Sequence, residues 1–544
     1  MRRLFPEALA GVFYAVLVLI MWGAFNPRSG LGYETAFPYM SELSWWTGFF
    51  YTSDPLRIYT STFYHLSYLL SIAVHARGSY LPYQVVYALL WWSRGWLVFL
   101  LLRKFAGGQQ ALLSYLGGAL VIVHSSDGAM QWVGQMNQFG FIFWMLLALY
   151  LLTHAYTSKN QSIGLPLLAG ACFFEYMSLW SYESQLLIIL TYPAALLLLK
   201  PGWVRWSALT AAWYLAPIYY LWKTINKYLQ SSGTSYQESV LRTNWHPLSL
   251  ASDWWFNIAS SLEFWTWPRE PNTSETLTAF LSIVAVLAFL AGGVILLRIV
   301  REQNGLDTRR LWVLLAAGSV LLALSFPVYL LLNSARSLWR TQFLSGIGSG
   351  LVWTAVIGLI SFSFWKTKFN SAIVLILSAP IVYFGASSAI VKGQVHRKIW
   401  ERHRAAIVRI LHSVPSVEPG TVIVLTGVPK SEDPFGDNMW FDFAIRLSYP
   451  RIPVAGVYYY TDGTPSPSEN MAAAGKGWKM TDIGMPTLVR EADIANTVVV
   501  RWDGAITGSF PEFVCTSACA GERYNPANTI TGPISPIAAN RYRP

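Results

Sequence analysis

Residues 275–299, ETLTAFLSIVAVLAFLAGGVILLRI, hold no charged side chain between Glu275 and Arg298. As an α-helix at 1.5 Å per residue, such a stretch is long enough to cross a hydrocarbon core of ~30 Å. Apolar runs of comparable character recur at about 8–25, 82–102, 110–125, 138–155, 162–179, 184–200, 206–222, 311–332, 342–363 and 371–391. Of the whole chain, 54% is hydrophobic, 15% aromatic and only 12% charged, a composition that excludes a soluble fold. The sequence therefore reads as a polytopic α-helical membrane protein of about eleven transmembrane helices, with a small C-terminal extracytoplasmic α/β domain.

Charge placement orients the bundle. The formal net charge of +11 is not a nucleic-acid signature, because the Lys and Arg fall in short runs between apolar segments. With the N-terminus inside, Arg103 and Lys104, Lys159, Lys200 and Arg205, Arg298 to Arg310, and Lys366 and Lys368 all lie on the cytoplasmic side. Arg2 and Arg3 ahead of the run from Ala8 to Phe25 resemble the start of a signal peptide. No small-residue cleavage site follows, so this run is expected as a retained first helix. Counting 59–75 as a span would invert every later loop, so that stretch is placed at the outer interface as an amphipathic or re-entrant helix. The expected location is the cytoplasmic (inner) membrane, with the C-terminal domain outside.

The expected organisation is a transmembrane domain over 1–391 with outer loops at 27–81 and 223–274. A basic amphipathic connector over 392–416 lies near lipid headgroups, and an outer domain follows over 417–544. In that domain Thr421–Leu425, Val454–Tyr460 and Thr497–Arg501 read as strands and Asn438–Leu447 as a helix. Cys515 and Cys519 are spaced closely enough to be bonded if the domain is outside. The chain has no P-loop, dinucleotide fingerprint or His/Cys metal spacing, so no nucleotide cofactor is expected.

The polar chemistry is concentrated in the outer loops. Glu34, Glu42 and Asp54, the last followed by Arg57, stand in the first of them; a carboxylate there is placed to deprotonate an acceptor hydroxyl. Each also reads as an ordinary solvated loop acid. Asp127, in His-Ser-Ser-Asp-Gly with Gln131, Gln135 and Gln138 following, is either a polar lining or a helix cap. Glu183, in Trp-Ser-Tyr-Glu-Ser, and Glu175 lie near the outer end of an apolar hairpin, where a carboxylate needs a cavity or a cation. Arg94, inside a span, is expected to pair with an acid, one of those glutamates, or to line a wet cavity. Arg336 and Arg340 occupy a short outer turn, and paired guanidinium groups there suit a lipid phosphate as well as plain headgroup anchoring.

One N-terminal helix, a long acidic first outer loop with an interfacial segment, a many-span bundle and an outer C-terminal domain together resemble the membrane-embedded glycosyltransferases of the GT-C class, bacterial type. The runs Asp-Pro-Leu-Arg-Ile-Tyr at 54–59 and Tyr-Glu-Ser at 182–184 carry the likeness in sequence. The resemblance implies transfer of a sugar from a polyprenyl-phosphate donor to a glycan, lipid or protein acceptor. Glu34 would be the base, with Glu42 or Asp54 assisting it or holding a divalent metal ion. Arg336 and Arg340 would grip the donor phosphate, and Trp45 and Trp46 would stack on sugar rings. The first loop lacks the class's usual acidic pair, so a non-catalytic membrane subunit that binds a partner is a second reading. A lipid-linked glycan transporter is a third, although apart from Arg94 the spans offer few charges for a polar path.

Overall fold

The computed structural model describes residues 5–23, 30, 56–106, 110–199, 202–230, 241–243, 245–263, 273–300, 308–333, 335–364, 370–450, 452–467, 471–474, 477–480, 491–493, 496–507, 529–530 and 533–542. Each apolar stretch identified in the sequence is helical. The membrane part comprises α1 (Phe5–Trp22), α2 (Thr62–Ala73), α3 (Leu81–Phe105), α4 (Ala111–Val123), α5 (Met136–Thr157), α6 (Gln161–Leu179) and α7 (Leu186–Leu196). It continues with α8 (Trp203–Trp213), α9 (Leu215–Gln230), α10 (Pro247–Leu262), α11 (Glu275–Val300), α12 (Thr308–Leu324), α13 (Ser345–Phe364) and α14 (Asn370–Ser413). Among the described residues, seven helices are long and apolar enough to cross a membrane, and those at Pro6–Trp22, Ala111–Val123 and Leu186–Leu199 are shorter. With 12 residues, α2 reaches about 18 Å, too little to span.

Close approach of α3 and α4 depends on two glycines. A Cβ on Gly95 would lie 2.7 Å from the Gly118 carbonyl, and one on Gly118 would lie 2.7 Å from the Gly95 carbonyl. Without a hydrophobic drive between helices in lipid, such small-residue contacts are how backbones pack. The stretch expected as one span over 206–222 is instead divided at Tyr214 into α8 and α9. Pro217 cannot donate to the carbonyl four residues back, and it sits in the first turn of α9, where that donor is not needed.

The two ends of the bundle differ. At one end Arg103 pairs with Glu7 at 3.2 Å, Arg310 donates to the Ala106 carbonyl at 2.9 Å, and Arg205 donates to the Ala155 and Ser158 carbonyls. Arg103, Arg205 and Arg310 thus meet at this end. The opposite end carries α2, α10, the loops 124–132, 180–185 and 325–344, and the C-terminal domain.

The last span and the amphipathic connector that follows it are continuous: 371–391 and the following residues to Ser413 form the single helix α14. Beyond the apolar half, His396, Trp400, His403, Ile407 and Ile410 recur at spacings of three and four and are all buried. That stripe is covered by protein. His403 packs on Phe435 and Tyr542 of the C-terminal domain, and Trp400 packs on Tyr80 of the membrane part.

In the C-terminal domain the parallel strands β3 (Val454–Tyr460), β2 (Thr421–Val428) and β7 (Thr497–Arg501) lie side by side, with β8 (Ile506–Thr507) antiparallel at the edge of β7. β2 and β3 pair in register Val422↔Ala455 and Val424↔Val457, and α15 (Asn438–Ser448) connects them. The near-continuous burial of β2 and β3 accords with a parallel sheet covered on both faces. Smaller sheets join β4 (Met471–Ala474), β5 (Gly477–Met480) and β6 (Glu491–Asp493), and β1 (Ser416–Val417) with β9 (Thr529–Ile530). A last helix, α16 (Pro536–Arg541), returns to the membrane part, where Asn540 donates to the Arg77 carbonyl at 2.9 Å. Cys515 and Cys519 lie outside the described residues.

Candidate functional site

At the domain-bearing end, α4 gives way to a loop organised by Asp127. Its buried carboxylate accepts the backbone N–H of Ala129 at 2.7 Å, of Arg340 at 3.0 Å and of Gln342 at 2.8 Å. Burial pushes this carboxyl above its ordinary value, while those three N–H groups and the Lys392 ammonium oppose the rise. Lys392 donates to the carbonyls of Ser125 and Asp127. Asp127 therefore caps no helix and lines the site only indirectly: it ties the loop 337–342 to the loop 124–132, helped by Gly128 N–H donating to the Leu338 carbonyl at 2.8 Å.

The loop so tied holds Arg340 at φ +72°, in the left-handed region. For a non-glycine residue that conformation costs roughly 1–2 kcal/mol and persists only where its surroundings over-determine it. Here the Asp127 carboxylate fixes the Arg340 N–H, and the Tyr329 hydroxyl donates to its carbonyl at 3.3 Å. Strain maintained from two sides at one arginine is a reason to ask what that side chain does.

Across from it, the segment after the first loop docks on the 180–185 loop: Tyr59 N–H donates to the Trp180 carbonyl at 3.1 Å and the Thr60 hydroxyl to the Ser181 carbonyl at 3.0 Å. This brings Arg57 onto Glu183 in a two-pronged ion pair, Nε to Oε2 at 3.1 Å and Nη2 to Oε1. The same guanidinium lies 4.6 Å from the Tyr182 ring centre. Tyr182 is where the charges meet. Burial and Glu183 raise its hydroxyl pKa, Arg57 and Arg340 counteract them, and Gln138 shares a hydrogen bond with it. Arg57 thus lies against this tyrosine, and Arg340 is near enough to act on its hydroxyl electrostatically.

Arg336 is placed differently. Its Nε contacts Asp253 Oδ1 at 2.5 Å and its Nη2 contacts Ser252 Oγ at 2.7 Å; Arg242 binds the other Asp253 oxygen. Burial raises the Asp253 pKa, but Arg336 and Arg242 outweigh it and hold the carboxyl below its ordinary value. A depressed acid stabilises the fold above its unfolded pKa near 4 and loses that contribution as pH falls below it. The Asp253 side chain is 6% exposed and Arg242 11%, against 57% for Arg336. Asp253→Ala is accordingly expected to destabilise by about 3 kcal/mol, because it strands a buried arginine. Arg336→Ala should cost less than about 1 kcal/mol. Unfolding midpoints of the two variants in detergent would check the order, and equal losses would refute it.

Arg94 departs from expectation. It pairs with no acid among the described residues; its guanidinium donates to the carbonyls of Val121, of Phe343 at 3.1 Å and of His124 at 3.4 Å, and lies 5.1 Å from the Phe139 ring centre. Two of those carbonyls end α4, where a helix leaves acceptors unsatisfied and favours a cation. Glu175 is buried and its carboxyl has no hydrogen-bond partner among the described residues.

Of the residues singled out from sequence, Asp127, Glu183 and Arg340 come together, Arg336 stands at the rim, and Glu34, Glu42, Asp54, Trp45 and Trp46 lie outside the described residues. Among the described residues no three His, Cys, Asp or Glu side chains form a metal-binding group. Tyr329 was not foreseen, since it lies within an apolar run and carries no local signal.

No family model matches the chain, and no curated protein matches it. Similar solved structures include ArnT from Cupriavidus metallidurans bound to undecaprenyl phosphate, at 14% identity and a TM-score of 0.37, and the same protein in the apo state, at 12% and 0.36. They cover 79% and 81% of this chain and 84% of their own. At these values the likeness is distant, and the site is read from its own geometry.

Proposed function

We propose that this protein transfers a glycosyl group from a polyprenyl-phosphate donor to an acceptor at the outer membrane face, with about eleven spans, the basic end in the cytoplasm and the C-terminal domain outside. The observation that carries the reading is Arg340, kept in a costly backbone conformation by the Asp127 carboxylate and the Tyr329 hydroxyl. Guanidinium groups at headgroup depth bind phosphate oxygens in pairs and keep their charge. In the reaction Glu34 takes the proton of the acceptor hydroxyl as its oxygen attacks the anomeric carbon. The bond from that carbon to the phosphate oxygen breaks, and polyprenyl phosphate leaves with the electron pair. Arg340 and Arg57 stabilise the charge that develops on the departing phosphate. Glu42 or Asp54 assists the base or holds a divalent ion, Arg336 reinforces the positive rim, and Trp45 and Trp46 offer faces to the sugars.

Arg340→Gly separates anion binding from fold. Glycine adopts φ +72° without steric cost, so the loop and the thermal stability are kept. Loss of a charge-assisted contact worth about 1.5–3 kcal/mol should weaken undecaprenyl phosphate binding by at least about tenfold. Unchanged affinity in a nanodisc titration would remove Arg340 from the site. The reading of a partner-binding subunit is favoured by one observation: Asp127, Glu183 and Asp253 are all engaged in holding loops together.

A further inference from the structure

The turn that carries Arg340 is linked to the C-terminal domain through Trp132. Trp132, at the end of the 124–132 loop, meets three aromatic partners from three parts of the chain. Trp339, the neighbour of Arg340, stands edge-on to it with ring centres 5.0 Å apart; Trp440 on α15 lies at 5.4 Å, and His396 on α14 at 5.8 Å. Such edge contacts contribute about 0.5–1.5 kcal/mol each beyond the area they bury.

Trp440 is itself firmly placed. Asp437 caps α15 by accepting the Met439 N–H at 2.8 Å, and Gly436, at φ +71°, turns the chain directly beside the Trp440 ring. The preceding turn is anchored by Asp433, which accepts the N–H of Phe435 at 2.8 Å and the hydroxyls of Tyr458 and Tyr460 at 2.9 and 2.8 Å. Gly128 also approaches Trp339, and an added Cβ there would lie 3.1 Å from the indole. The indole of Trp339, one residue from a strained arginine, thus packs on Trp132, which in turn meets Trp440 of the C-terminal domain.

We infer that Trp132 and Trp440 are positioning residues for Arg340: docking of the C-terminal domain holds Trp339, and Trp339 holds the left-handed turn that aims the guanidinium. The inference deepens the proposed function and rests on it for the identity of the ligand, but its mechanical part does not. The domain then acts as a wall of the donor site, and a disturbance of its α15 face reaches the phosphate-binding arginine through two indoles.

The test uses the full-length protein in phosphatidylcholine/phosphatidylglycerol nanodiscs, with hydrogen exchange of residues 335–344 and binding of undecaprenyl phosphate measured in parallel. Trp440→Ala is expected to speed exchange of the Arg340 and Gln342 amides and to weaken binding, each by about five- to tenfold, as loss of one aromatic contact allows. Trp440→Phe should restore both, and Gly128→Ala, pressing on Trp339 from the bundle side, should loosen the same amides. Unaltered protection of β2 in the same runs reports an intact domain; if Trp440→Ala unfolds it, Gly128→Ala decides. Exchange over 335–344 that stays at the wild-type rate in these variants would overturn the inference whatever the binding result. A wild-type protein that fails to bind undecaprenyl phosphate, with the exchange changes still present, would overturn the proposed function and leave the positioning intact.

Discussion

Glu34→Gln is expected to lower the turnover of glycosyl transfer by about 10²- to 10⁴-fold, the usual worth of a positioned general base. Glutamine keeps the shape and the hydrogen-bonding capacity of the side chain but cannot accept the proton of the acceptor hydroxyl. Membrane insertion and undecaprenyl phosphate affinity should therefore be unchanged, because the donor phosphate is assigned to Arg57 and Arg340. The check is transfer from a polyprenyl-phosphate sugar under single-turnover conditions, with binding measured on the same preparation. Near-normal transfer in this variant would remove Glu34 as the base. The natural successor would be Asp54, three residues before Arg57 in the chain, and Asp54→Asn assayed in parallel would then show the loss. Loss in neither variant, with active wild-type protein, would end the case for a first-loop carboxylate.

The second large effect concerns the fold. Arg94→Leu removes a buried cation whose donors serve carbonyls from the end of α4 and from Phe343. In a bilayer no water replaces a lost donor, and each stranded polar group costs on the order of 1–3 kcal/mol. The expected loss is about 3 kcal/mol or more, seen as poor accumulation in membranes and a lower unfolding midpoint. Arg94→Lys should retain part of it, because an ammonium is one compact donor group where the guanidinium reaches carbonyls on different segments. A leucine variant as stable as the wild type would mean that those carbonyls find other donors.

The helical membrane architecture was legible because a run such as 275–299 has few other physical outcomes, and the order of strands and helix in the C-terminal domain followed from continuous apolar runs between turn residues. What each element would pack against was not legible. The stripe His396, Trp400, His403, Ile407 and Ile410 announces an amphipathic helix, yet periodicity alone does not say whether protein or lipid covers the apolar face. Arg94 read as needing an acid, because backbone carbonyls leave no trace in sequence as partners. The partners of Asp127 were hidden for the same reason: they are the N–H groups of Ala129, Arg340 and Gln342, two of them more than two hundred residues away in the chain. The Arg57–Glu183 pair joins segments 126 residues apart, so each residue was noticed and their meeting was not. Nothing in Leu-Trp-Arg-Thr signals a left-handed arginine.

The most direct test of the central claim is the position of the lipid phosphate in a cryo-EM structure of the protein in nanodiscs with undecaprenyl phosphate. The account predicts phosphate density within hydrogen-bonding distance of the Arg340 and Arg57 guanidinium groups, beside Tyr182. Density for the headgroup elsewhere, with the space between Arg57 and Arg340 closed by side chains, would contradict it.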